Sequence, residues 1–242
     1  MAKKVTPYKD SQEGKKEQVT RMFDTISKNY DGLNRVISFG IDIKWRRRVV
    51  DILTKTQPKR ILDIATGTGD LAINLVETGA DKIVGLDISP GMLEVGKKKI
   101  SEKNLDDTIE MVVGDSENLQ FSDNSFDAIT VAFGVRNFED LEKGLGEIYR
   151  VLAPKGKLVV LETSVPVKTP YKQGYKIYTK YMLPAIGKLF SKDRSAYAYL
   201  SESASVFPHG EAFNNILRKI GFIEVENRPQ TFGVASIYVA TK

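Results

Sequence analysis

Four aspartates lie at or near the ends of short β-branched runs. Asp63 sits inside Ile61-Leu-Asp-Ile-Ala65, Asp70 directly follows Thr66-Gly67-Thr68-Gly69, Asp87 follows Lys82-Ile-Val-Gly-Leu86, and Asp115, with Ser116 beside it, follows Ile109 to Gly114. A glycine turn between a strand and a helix lets the backbone bend sharply and approach a ligand. By itself that turn is ambiguous, because Gly67-Thr-Gly69-Asp-Leu-Ala72 also fits the dinucleotide pattern G-x-G-x-x-A and keeps an NAD-dependent oxidoreductase in contention. Charge separates the two classes. A dianionic pyrophosphate seeks N–H groups with few carboxylates nearby, whereas a sulfonium bearing an ammonium is drawn to carboxylates. In a parallel sheet the strand ends border one crevice, so a ring of aspartates there suits a cationic donor such as S-adenosyl-L-methionine, with S-adenosyl-L-homocysteine as product.

Each carboxylate has a task in that reading. Asp87, 20 residues past Gly67, is placed for the ribose hydroxyls, and Asp115 with Ser116 for the adenine amino group. Asp63 and Asp70 fall near the ammonium end. The lesser alternative for Asp70 is a first-turn residue favoured by the helix dipole, whereas Asp63 is equally an orienting residue behind the site.

The elements that must position these groups follow from periodicity. Strands are predicted at 60–66, 82–88, 109–114, 126–133 and 157–163, with helices near 70–77, 90–103 and 141–152, the alternation of consecutive βαβ units. Pro90 suits the first turn of its helix. Residues 164–205 break the rhythm as an insertion, followed by a helix near 210–220 and two strands, 222–227 and 234–241, joined too closely for a parallel crossover. The fold class is therefore α/β, a doubly wound Rossmann-like sheet of seven strands with one antiparallel strand at its C-terminal end, as class I methyltransferases are built. Residues 17–55 read as helices over the sheet edge, placed to close the site, and residues 1–14 as disordered. The 242 residues are expected to form a single domain: lid helices in 1–55, a cofactor-binding core in 56–163, a substrate- or membrane-facing insertion in 164–205, and a C-terminal helix and strands in 206–242.

There is no cysteine, which removes disulfides, thiol nucleophiles and Cys-ligated metals, and no metal site is expected. No run approaches the ~20 apolar residues of a membrane span, and the first ten residues lack a signal peptide's apolar core, so a cytoplasmic location is expected. Residues 1–60 carry 15 lysines and arginines against 7 carboxylates, while the rest carry 21 against 24. The basic N-terminus raises an RNA-binding or RNA-modifying alternative, but no aromatic-basic RNA module is present and the core is acidic.

The run ILDIATGTGD resembles motif I of class I methyltransferases. GLDISPGMLEVGKKK, VVGDSENLQFSDNSFDAITVAFGVRN and VTRMFDTISKNYDGLNRVISFGIDIKWRRR resemble the UbiE/MenG family of quinone C-methyltransferases, over nearly the whole chain from about residue 19. The resemblance implies transfer of a methyl from S-adenosyl-L-methionine to a ring carbon of demethylmenaquinol, with ubiquinone-pathway benzoquinols or another small molecule as alternatives. Carried over by position, it puts cofactor contacts on Thr68, Asp87, Asp115 and Ser116, beside Gly67 and Gly69 of the turn. Ala132 departs from the pattern, since some members place a serine there.

Methylation at an aromatic carbon needs an electron-rich ring. Arg136, a permanent cation with several donors, is the candidate to stabilise the developing naphtholate, and Asn137 to orient the ring oxygen or a water; both are also readable as a structural turn. His209 is the only histidine and a candidate base, although Phe207-Pro-His-Gly210 equally reads as a loop before a helix. Tyr30 is a third candidate, as a hydroxyl on the lid or as a buried ring that packs it down. In the insertion Lys168, Lys172, Lys176 and Lys180 recur every four residues beside Tyr171, Tyr175, Tyr178 and Tyr181, a basic aromatic face suited to an anionic leaflet. The expected partners are thus a prenylated naphthoquinol and, peripherally, the inner face of a membrane. Nucleic acid is not expected, and a homodimer is left open.

Overall fold

The computed structural model describes residues 5–182 and 194–242. Seven strands, β1 (Arg60–Ile64), β2 (Lys82–Asp87), β3 (Ile109–Val113), β4 (Phe126–Ala132), β5 (Leu152–Thr163), β6 (Ile223–Gln230) and β7 (Ala235–Thr241), form one sheet in the order β3-β2-β1-β4-β5-β7-β6. β1 to β5 pair in parallel, and β7 runs antiparallel to both β5 and β6. The single turn Thr231–Gly233 between β6 and β7 leaves room for nothing but a reversal. The winding reverses between β1 and β4, which places the ligand crevice of an open α/β sheet at their C-terminal ends.

Successive side chains of the central strands point to opposite layers. Leu158 and Val160 pack with α6 (Leu141–Val151) and α9 (Glu211–Ile220), whereas Val159 and Leu161 pack with α3 (Ile41–Thr54), α4 (Asp70–Leu75) and α5 (Pro90–Glu102). α5 begins as expected, with Pro90 in its first turn and the Ser89 side chain accepting the Met92 N–H. α1 (Lys15–Ile26) and α2 (Tyr30–Ser38) cover the crevice, with α8 (Arg194–Val206) sharing their apolar cluster through Ala196 and Tyr199.

Several elements differ from the sequence expectation. β1 stops at Ile64 because Ala65 enters the turn at φ 53°. β5 starts at Leu152, where it pairs with Phe126 before an irregularity that resumes the ladder at Lys157. Of the segment expected to be disordered, residues 5–14 are anchored: Val5 is buried with Val19 and Met22, and the Tyr8 N–H donates to Gln18 Oε1 at 2.8 Å. One apolar residue in a polar run carries no periodicity, so this anchor had no pattern to betray it. In the insertion, α7 (Tyr171–Ile177) gives way to a π-helical turn, Tyr178–Met182. Lys172 and Lys176 share the α-helical face, while Lys168 precedes it and Lys180 lies in the wider turn. The part of the insertion at 183–193 lies outside the described residues. No described helix is long and apolar enough to cross a membrane.

Candidate active site

Gly69, at φ 76°, closes the turn from β1 into α4, a conformation that a side chain would strain. The Gly67 N–H donates to Asp87 Oδ2 at 2.8 Å and the Ser89 N–H to Asp87 Oδ1 at 2.9 Å, so the ends of β1 and β2 are tied through one carboxylate. Burial pushes the Asp87 carboxyl up to about 6, against the pull of those N–H groups. A cavity of 680 Å³, mouth included, opens beside them and is lined by Gly67, Asp87, Asp115 and Ser116, with Phe23 and Tyr30 from the lid. Lys16 of α1 reaches Asp115 at 2.7 Å and Glu117 at 3.2 Å. Burial works against its ammonium, but the bonds to these two carboxylates outweigh it and raise its pKa. Glu117, absent from the expected set, also accepts the N–H groups of Glu139 and Asp140 at 2.7 and 3.2 Å. Its signal was the acid two residues beyond Asp115. Carboxylates and Ser116 around a largely apolar slot are a donor set that fits S-adenosyl-L-methionine.

Four expected cofactor residues do not line this cavity. Asp63 is buried behind β1, where it accepts the Thr66 and Thr130 hydroxyls at 2.6 Å each and burial pushes its carboxyl up to about 6. It is an orienting residue of the strand. Gly69 faces Met111 and Gly96 of the α5 side. Thr68 and Asp70 face away from the cavity into a chain of charges: Thr68 Oγ1 donates to Asp31 Oδ1 at 2.5 Å, and Lys99 bridges Asp31 at 2.9 Å and Asp70. Arg46 lies 3.5 Å from Asp70 and 2.5 Å from Asp42. The first turn of α4 turns its side chains toward α3 and α5, and the cations of those helices occupy Asp70. Thr68 and Asp70, expected as side-chain cofactor contacts, are engaged here by Asp31, Lys99 and Arg46, which tie α2, α5 and α3 to the turn.

A second, larger cavity of 1710 Å³, mouth included, adjoins the first, and Tyr30 and Phe133 belong to both walls. Its inner end holds Arg136, Arg46, Asp42 and Trp45, and its outer end Phe39, Tyr171, Tyr175, Tyr178 and Phe232. Tyr30 meets Phe23 edge-on at 5.9 Å, and burial raises its pKa although Arg136 and Arg46 pull the other way. Trp45 donates to Thr231 Oγ1 at 2.9 Å and lies 6.2 Å from Phe133. Arg136 Nη1 donates to Glu162 Oε1 at 2.6 Å and to the Phe133 carbonyl at 2.7 Å, while its buried Nε has no acceptor. Asn137 lines the first cavity and accepts the Tyr199 hydroxyl at 3.1 Å. Ala132 also lines the first cavity, without a hydroxyl to offer.

His209 lines neither cavity; its Nδ1 lies 3.3 Å from the Phe207 carbonyl, in the loop before α9. This position gives its candidacy as base no support. Glu162, fully buried, and Asp42 went unnoticed in the sequence. The sign of the first was an acid closing the apolar run Leu158 to Leu161; Asp42 is an ordinary first-turn acid of α3 with no distinguishing pattern.

The ubiE/COQ5 methyltransferase family model matches residues 11–242. The chain belongs to this family. A Bacteroides fragilis protein named demethylmenaquinone methyltransferase is 48% identical over 241 residues, covering 99% of this chain and 98% of its own. A Thermus thermophilus protein of the same name is 47% identical, covering 91% and 100%, and the Geotalea daltonii ubiquinone/menaquinone biosynthesis C-methyltransferase UbiE is 44% identical, covering 94% and 97%. Among solved structures, an S-adenosyl-L-methionine-dependent methyltransferase of Methanococcus maripaludis superposes with a TM-score of 0.59 at 24% identity, covering 97% of this chain and 96% of its own. That likeness is one of fold: this ubiE/COQ5 family member has the class I methyltransferase architecture, and the sequence match carries its membership.

Proposed function

We propose that this chain methylates a ring carbon of demethylmenaquinol to give menaquinol. One observation carries the reading: a carboxylate-lined slot and a large aromatic cavity meet at Tyr30 and Phe133, as a cationic methyl donor facing a flat apolar ring requires. The names of the full-length relatives support the naphthoquinol. Asp87, Asp115 and Ser116, with Gly67 of the turn, hold S-adenosyl-L-methionine, which supplies an electrophilic methyl on its sulfonium. Arg136 stabilises negative charge on the ring oxygen with the donors Glu162 leaves open. Asn137, held by Tyr199, and Tyr30 fix the ring's orientation, and proximity supplies several kcal/mol of the rate enhancement.

The outer end of the larger cavity is where a prenyl tail leaves. Phe39 and Phe232 there are 66% and 67% exposed, and Ile177, Tyr181 and Met182 are exposed near the same insertion, beside Lys172 and Lys176. Apolar rings and basic stems together support peripheral contact with an anionic bilayer at its cytoplasmic face. The decisive assay incubates the protein anaerobically with S-adenosyl-L-methionine and reduced demethylmenaquinone bearing a short prenyl chain. Equimolar S-adenosyl-L-homocysteine and methylated naphthoquinol are expected; methylation of a benzoquinol in preference, or of neither, overturns the proposal.

A further inference from the structure

Adding a methyl to a ring carbon in place of hydrogen releases one proton per turnover, and the larger cavity limits where that proton can go. Its described lining contains Arg46 and Arg136, which are permanent cations, and the phenols Tyr30, Tyr171, Tyr175 and Tyr178. Burial raises the pKa of Tyr30 and Tyr175 and pushes Tyr178 up to about 12, which makes these poor acceptors near neutral pH. Among the described lining residues Asp42 is the carboxylate, and there is no histidine or lysine. Its side chain is 4% exposed. Oδ2 is held by Arg46 at 2.5 Å, and Oδ1 accepts the Ser38 hydroxyl, also at 2.5 Å. Ser38 lines the cavity too, and the Gly40 N–H donates to its Oγ at 3.2 Å, so the hydroxyl is aimed at Asp42 while a lone pair remains for a donor in the cavity.

We propose that Ser38 and Asp42 form the proton acceptor of the reaction. The inference rests on the quinol reading above. The substrate hydroxyl next to the reacting carbon gives its proton to Ser38 Oγ as the Ser38 proton passes to Asp42. The oxygen's electrons move through the ring to that carbon, the new C–C bond forms, and the C–S bond breaks with its pair staying on sulfur. The dienone left behind returns to the quinol by losing its ring proton and regaining one on oxygen, so that one proton in total leaves for solvent. Arg136 stabilises the oxyanion in this scheme and is not its base.

The test compares wild type with Asp42→Asn and Ser38→Ala. Asp42 is faced by Arg46 on its own helix and Ser38 from α2, and through Arg46 by Asp70 and Lys99 from α4 and α5. Calorimetric binding of S-adenosyl-L-homocysteine therefore reports whether that network survives. With binding intact, Asp42→Asn is expected to lower kcat about 10²- to 10⁴-fold with little change in the quinol KM. Its rate should then climb with pH as the substrate hydroxyl ionises unaided, whereas wild type is flat over the same range. Ser38→Ala should lose less. A wild type inactive on demethylmenaquinol would sink the functional reading. Active wild type with Asp42→Asn within about threefold in kcat, or with an unchanged pH profile, would overturn this inference alone. Should Asp42→Asn lose cofactor binding, Ser38→Ala decides by the same two readouts.

Discussion

Asp87 is a carboxyl raised to about 6 by burial, and in the proposed function the cofactor binds its charged form. Ribose hydroxyls donate to a carboxylate and lose that acceptor once it is protonated, so S-adenosyl-L-homocysteine affinity is expected to be constant above about pH 7. It should weaken as pH falls through 6, approaching about tenfold per unit at lower pH. Asp87→Asn should cost about 10- to 100-fold at neutral pH, the worth of charge-assisted hydrogen bonds, and flatten the dependence. Calorimetry at several pH values checks both. Asp63, raised to about 6 as well, feels the Asp87 charge without lining the cavity, so it contributes to the pH dependence left in the variant. The ligand-free protein responds with the opposite sign. A carboxyl whose pKa rises from about 4 to about 6 on folding costs stability above the higher value, and that cost fades as pH falls toward the lower one.

The glycine turn depends on how closely α5 approaches it. A Cβ on Gly96 would lie 2.3 Å from Met111 Cε and 3.2 Å from the Thr68 carbonyl carbon. The methionine tip can move, but the backbone of the turn cannot without disturbing Gly67 and Asp87. Gly96→Ala gains about 1 kcal/mol of helix propensity and loses about 1–3 kcal/mol to overpacking. A lowering of Tm by a few degrees is expected, together with weaker S-adenosyl-L-homocysteine binding, by thermal unfolding and calorimetry. An unchanged Tm with normal binding would show that the turn has slack. The charge chain Asp42–Arg46–Asp70–Lys99–Asp31 belongs to this scale as well: it joins α2 and α3 to α4 and α5 around the same turn.

At the scale of the molecule, the polar and the apolar linings belong to two adjoining cavities that share Tyr30 and Phe133. The carboxylate slot is roofed by α1, and the aromatic cavity opens where Phe39, Tyr171 and Phe232 gather, with Tyr171 stacked on Phe232 at 4.0 Å. If that rim meets a bilayer, binding has an electrostatic and an apolar part that separate by mutation. Lys172→Glu with Lys176→Glu should abolish most co-sedimentation with anionic vesicles at low salt, and Phe39→Ser with Phe232→Ser should weaken what persists at high salt. Vesicle binding indifferent to both pairs and to salt would exclude this face.

The sequence alone determined the doubly wound class, the reversal at the C-terminal pair and the crevice at Gly67 and Asp87, because periodicity and connection length are local quantities and the parallel crossover leaves few topologies; the strand order came from the structure. It also placed Arg136, Asn137 and Tyr30 at the strand ends or on the lid. It could not tell which carboxylates line the cavity. Asp70 and Asp87 look alike in sequence, yet Lys99 and Arg46 claim the first while backbone N–H groups alone hold the second. His209 and Asp42 show the same limit from two sides. A histidine stands out by type and lies outside both cavities, whereas an unremarkable aspartate lines the larger one. Which side chains share a cavity is set by long-range packing of α2, α3 and the insertion over the sheet, and no spacing along the chain records it.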